Sequence, residues 1–153
     1  MSNGPHAKLA ELGLTLPEVA APLASYVPAV QSGQHVYVSG QLPLAEGKLL
    51  ATGKVGNGVS AEQAKDLAQR CALNALAAID SLVGLEKVVK IVKLTGFVAS
   101  APGFTGQPGV VNGASELFGA VFGEAGRHAR SAVGVAELPL DAPVEVEVIV
   151  EVA

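Results

Sequence analysis

The chain has 153 residues, of which 50% are apolar, 16% charged and 4% aromatic, with no tryptophan and a formal charge of −4. That is the size of one ordinary domain, with enough apolar residues for a core and too few charges for a disordered chain. The 10 Lys and Arg form no run and aromatic rings are scarce, so neither a basic stripe nor a stacking platform marks a nucleic-acid surface.

The N-terminus MSNGPHAKLAEL lacks a basic stretch followed by an apolar one, so no secretory signal is expected. No apolar run approaches the ~20 residues of a membrane span. The single cysteine, Cys71, excludes an internal disulfide. It sits on the apolar face of a predicted helix and reads as a small buried hydrophobe. A reducing cytoplasm fits this usage.

Residues 1–22 are a mixed lead-in, an N-terminal extension that ends in the proline-bearing LPEVAAPL. The next stretch alternates His35, Tyr37 and Ser39 with Val36, Val38 and Gly40, the period of a strand. Ser32-Gly33 breaks it from VPAV and predicts a first hairpin. Glu46-Gly47 breaks the pattern again, KLLATGKV reads as a third strand, and Gly56-Asn57-Gly58 closes the meander. Ser60 opens a helix with Gln63 three residues on, a capping box. Apolar residues follow at helical spacing to Val83, and Gly84 is the expected left-handed stop. Residues 87–99 read as a long strand, with Lys87, Lys90 and Lys93 on a solvated edge or end. A loop then leads to a second helix over 113–122, with Asn112 as N-cap and Gly123 as stop. Two valine-rich strands close the chain, expected as a hairpin turning near Leu140.

The order βββαβαββ argues for a single α+β domain over 1–153, with two helices on one face of a mixed sheet. The other face is left bare, with valines alternating with small residues and glutamates. A surface of that kind needs a partner, and a homo-oligomer packing sheet against sheet would cover it.

No zinc-spaced Cys/His cluster, GxGxxG or Walker loop, or GxSxG elbow is present. His35 reads as a sheet-surface residue, His6 lies in an expected frayed terminus, and His128 stands two residues before Arg130, where it would border a site. Arg130, Glu145, Asn112, Tyr26 and Ser39 remain. Each alone has a bland reading: a surface ion pair, a solvated strand face, a helix cap or a packed ring.

The stretches YVPAVQSGQHVYVSGQLPL, SAEQAKDLAQRCALNALAAI, KVVKIVKLTGFVA and ARSAVGVAELPLDAPVEVEVIV together resemble the Rid family of reactive imine deaminases. The family is also called YjgF-like or chorismate-mutase-like, and some members carry an endoribonuclease L-PSP or translation-inhibitor label. The resemblance runs from Tyr26 to Val152. It implies a homotrimer with helices outside and sites in clefts between subunits. It implies further that Arg130 binds a substrate carboxylate, a task suited to its fork. Glu145 would orient or activate the attacking water. Tyr26 and Asn112 would line the pocket, and Ser39 and Gly40 would form its floor.

In the expected hairpin, Arg130 faces a residue near 150. Glu145 is then offset by about five residues, roughly 16 Å, so the two would meet only across a subunit boundary. The implied reaction is hydrolysis of 2-imino or enamine acids to 2-keto acids and ammonia, with no metal or cofactor. Two alternatives stand beside it. One is a non-catalytic trimer binding small carboxylates as a regulator or sensor. The other is a ribonuclease, against which the acidic balance argues. The sequence departs from the better-known members in four places. Ala132 stands where cysteine is frequent, His128 replaces the usual proline, and both the stretch from Phe104 to Asn112 and the N-terminal lead-in are longer. Phe104 and His128 are therefore candidates for the pocket rim.

Overall fold

The computed structural model describes residues 4–153. Helix α1, Pro5–Glu11, starts on a proline, whose missing N–H costs nothing in a first turn. It buries Leu9 in the core. Residues 12–28 then cross the surface as an irregular strap. The lead-in was expected without a helix and with His6 frayed. Instead His6 bridges Glu86 at 2.8 Å and Asp80 at 3.0 Å, which docks α1.

Strands β1, Ala29–Ser32, and β2, His35–Gln41, form the expected hairpin, with Gly33 at φ 60° in its turn. The expected third strand breaks in two. Gly53, at φ 117°, interrupts it, and neither half joins the main sheet, although Val55 makes an isolated bridge to Ser100. Instead β3, Leu44–Ala45, pairs with β4, Lys48–Leu49, while β5, Lys54–Val55, pairs with β6, Gly58–Val59.

Helix α2, Ala61–Val83, is capped as expected. The Ser60 hydroxyl accepts the Gln63 backbone N–H at 3.1 Å, and Gly84 ends the helix at φ 89°. Strand β7, Val88–Ala99, leads to α3, Gln107–Phe122, and then to β8, Ala129–Val135, and β9, Val144–Val152. Helix α3 begins earlier than expected. Pro108 in its first turn is a start signal rather than a loop residue. Asn112 therefore lies inside the helix and does not cap it. A Cβ on Gly113 would stand 2.0 Å from the Lys65 carbonyl oxygen, so α3 crosses α2 almost backbone to backbone.

The main sheet has the order β1-β2-β9-β7-β8. Strand β8 runs parallel to β7, the result of the β7–α3–β8 crossover. Strand β9 is antiparallel to both β2 and β7. The last two strands are thus not the expected hairpin. The proline-bearing link 136–143 looks like a tight turn but carries the chain past β7.

Helices α2 and α3 cover one face. Alternate β9 residues from Val144 to Val152 point into this core, where they meet Val36, Ile91, Leu94, Leu76, Ile79 and Phe118. Each such side chain contributes about 1.5–3 kcal/mol on burial. Cys71 is fully buried here as expected, and burial pushes its thiol well up. The opposite face carries Val30, Tyr37 and Val133, all more than 40% exposed. Among the described residues, no helix is long and apolar enough to cross a membrane.

Candidate functional site

The residues expected to share one pocket fall into two groups on opposite faces of the sheet. Arg130 pairs with Leu94, which pairs with Val148; both partners face the helices. Glu145 pairs with Phe97 on the open face. The two are three residues and two strands apart, so roughly 10 Å along the sheet and about 10 Å across it. Within one chain they do not meet.

The first group is built on α3. Pro108, Asn112 and Ser115 recur at intervals of four and three, which puts them on one stripe of the helix. Arg130 Nη1 donates to Asn112 Oδ1 at 2.8 Å and to Ser115 Oγ at 3.1 Å, and Nη2 donates to the Pro108 carbonyl at 3.1 Å. All three acceptors are neutral. Among the described residues no carboxylate lies within ion-pair distance of Arg130. A guanidinium has five N–H donors, so the Nε–H and one on Nη2 remain for a ligand. The guanidinium also lies beside the first turns of α3, whose unpaired N–H groups add positive potential. The site is electropositive, rigidly held and lacks an anion of its own.

His128 supports this arrangement. Its Nδ1 meets the Gly126 carbonyl at 2.6 Å, and its Nε2 meets Ser115 Oγ at 2.9 Å. A carbonyl only accepts, so the ring proton sits on Nδ1. With the proton on Nδ1, Nε2 accepts the Ser115 hydroxyl, whose oxygen accepts from Arg130. The imidazole also packs edge-on against Phe118, at 6.0 Å between centroids and 85° between planes. Sequence reading passed over Ser115; its spacing from Asn112 was the available signal.

The second group surrounds a β-bulge. The β2–β9 register shifts between Val38 and Gln41, which places Ser39 and Gly40 in the irregular segment. Bulges bend a strand and re-aim its side chains. The Ser39 hydroxyl donates to the Val27 carbonyl at 2.6 Å, and its N–H donates to the Pro28 carbonyl at 2.9 Å. The carboxylate of Glu145 lies over Gly40, so close that a Cβ there would stand 2.1 Å from Oε1. Burial, and then repulsion from Glu147, push the Glu145 carboxyl above its ordinary value. Tyr26 and Gly40 line the same small pocket, and the Tyr26 hydroxyl accepts the Leu23 N–H at 3.1 Å.

Phe104 joins neither group. Its ring packs on Gly56 and Gly106, and its carbonyl accepts from Gln107 at 2.8 Å. Ala132 is partly buried against the core. Among the described residues, no group of three or more His, Cys, Asp or Glu is placed to hold a metal.

The fold is a mixed-sheet α+β chain with Arg130 on an edge strand. The family model described as endoribonuclease L-PSP matches residues 17–152, and the chain belongs to that family, the YjgF/Rid group. It is 46% identical to protein TCP17 of Trypanosoma cruzi, over 95% of this chain and 92% of that one. It is 32% identical to a 2-iminobutanoate/2-iminopropanoate deaminase of Dermatophagoides farinae, over 90% and 93%. A crystal structure of a protein of unknown function from Agrobacterium tumefaciens superposes with a TM-score of 0.91, at 49% identity, covering 97% of this chain and 92% of that one.

Proposed function

We propose that the chain forms a homotrimer in which the arginine group of one copy faces the glutamate group of the next. The closed cleft then hydrolyses 2-imino acids to 2-keto acids and ammonium. The observation that carries this reading is Arg130, fixed by three neutral acceptors with two donors spare and no carboxylate beside it. Such a fork suits a carboxylate held bidentately. The separation of Arg130 from Glu145 within one chain and the uncovered sheet face support the assembly, and the deaminase relative supports the reaction.

The chemistry needs little from the protein beyond placement. Arg130 holds the carboxylate next to the imine carbon. Glu145 takes a proton from water as the water oxygen bonds to that carbon. The C=N electron pair goes to nitrogen, and Glu145 returns the proton there, giving an amine and a hydroxyl on a tetrahedral carbon. Glu145 then passes the hydroxyl proton to that nitrogen, the C–N bond breaks, ammonia leaves, and the oxygen's electrons close the C=O. A carboxyl raised by burial is suited to moving a proton both ways. Tyr26, Asn112, Ser39 and Gly40 shape the pocket, with His128 supporting Arg130 from behind. No cofactor enters the scheme. Ribonuclease action finds no support in the surface, with 14 acidic against 10 basic residues and no basic run.

The test is ammonia and keto-acid release from imino acids generated enzymatically, comparing the wild type with Arg130→Ala after both are checked by sedimentation. Acceleration over the spontaneous rate, lost in the variant, is expected. Saturable carboxylate binding without acceleration would replace the deaminase by a carboxylate-binding trimer.

A further inference from the structure

The strap and α2 flank a second pocket, half-open to solvent, that the reaction scheme leaves unused. Its volume is 890 Å³, near the upper end of the range of small-molecule pockets. Leu16, Val19 and Leu23 of the strap give it an apolar wall, and Arg70 and Asn74 line it from α2. Arg70 is half-buried, and its Nε donates to the Leu44 carbonyl at 2.8 Å. Among the described residues its Nη groups have no hydrogen-bond partner, and no carboxylate lies within ion-pair distance. Asn74 is 2% exposed, and its Nδ2 donates to the carbonyls of Leu42 at 3.0 Å and Leu44 at 3.1 Å. Its Oδ1 receives no donor among the described residues. It is not sealed off either, because no fully buried side-chain polar atom there lacks a partner. The oxygen therefore reaches open space, and the space it borders is this cavity.

A half-buried cation without an anion and a nearly buried amide oxygen without a donor are both costly unless something fills their valences. Glu18 and Glu46, both exposed, stand among the same lining residues. They repel a second carboxylate and favour a cationic group. We propose that this cavity is a binding site for an apolar, dipeptide-sized zwitterion. Its carboxylate lies on the Nη groups of Arg70, and its N–H is donated to Asn74 Oδ1. Its apolar side chains rest on Leu16, Val19 and Leu23, and its ammonium faces Glu18 and Glu46. A single small amino acid would leave most of 890 Å³ empty. The site is separate from Arg130 and stands whether or not the deaminase reading does.

The experiment uses the full-length protein and leucyl-leucine, followed by calorimetry and methyl NMR. Saturable shifts are expected at Leu16, Val19 and Leu23, with affinity at least tenfold lower for leucyl-leucinamide, which lacks the carboxylate. Arg70→Gln is expected to lose as much, and Arg130→Ala nothing. The acid–amide comparison is made on the wild type, so it holds even if Arg70→Gln folds poorly. No strap shift at millimolar probe, or equal affinity for acid and amide, overturns the proposal. So does calorimetric binding that vanishes in Arg130→Ala.

Discussion

The arginine group of the candidate site is local. Arg130 and its acceptors lie within residues 108–130, on one β7–α3–β8 unit. The glutamate group is assembled from opposite ends of the chain, with Glu145 on β9 resting against Gly40 in the bulge of β2. The first group is held by hydrogen bonds to neutral oxygens. The second is held by close packing against a residue without a side chain. The difference follows from the charges. A guanidinium stays ionised in any setting, so neutral acceptors can fix it while its charge remains available to a ligand. A carboxylate responds to burial by holding its proton, so packing places Glu145 and, together with repulsion from Glu147, tunes it.

The sharpest way to break this comparison is to divide the two groups between chains. Arg130→Ala and Glu145→Gln should each lower kcat/KM by about 10²–10³-fold. Unfolding and reassembling them as an equal mixture should restore about a quarter of wild-type activity, if each cleft takes one group from each of two copies. No recovery in a mixture shown to have exchanged subunits would defeat the shared-cleft reading.

Next comes Gly40→Ala. Its Cβ would displace the Glu145 carboxylate, and kcat should fall about tenfold with KM little changed. Ser115→Ala should do the reverse, raising KM several-fold while leaving kcat nearly intact, since it loosens only the support of Arg130.

The remaining effects are on stability. The folded chain binds the Glu145 proton more tightly than the unfolded chain does. That contribution is full below the ordinary value of 4.5 and declines as pH rises through the raised folded value. Glu145→Gln should therefore melt a few degrees higher than the wild type at pH 7, with the gap closing toward pH 4. The smallest shift belongs to His6→Gln. The hydrogen bond to Glu86 is the main cause of the raised His6 value, and Asp80 adds to it. The stabilisation is full below 6.5 and fades as pH rises through the folded value. Because His6 is largely exposed, solvent screening limits the loss to a degree or two in Tm. Melting curves from pH 5 to 9 would measure it.

Much of the fold was legible because period and punctuation agree where contacts are local. The alternation in 35–40, the cap at Ser60 and the stops at Gly84 and Gly123 each depend on near neighbours. Strand partnership was not legible. The link 136–143 reads equally well as a hairpin or as a passage over one strand, and only the position of β7 decides it. Asn112 was singled out as a pocket residue and also, wrongly, as a helix cap. Its value as a cap was judged from flanking residues, while its partner, Arg130, is 18 positions away. Glu145 and Gly40 each drew attention separately, yet their contact arises only once β2 and β9 are adjacent. The shared stripe of Asn112 and Ser115 was open to inspection, and the Arg70 cavity was not, because its wall is an irregular strap with no period at all.

That strap is fixed at both ends. At one, α1 is pinned by Leu9 in the core and by His6 on Glu86 and Asp80; at the other, the chain enters β1. A span between two piers has little freedom left to lose, so whatever lies beneath meets a wall already in place. Deprotonating His6 loosens that pier, but Leu9 still holds it. A truncation that removes α1 takes away both ties and turns the wall into a tail.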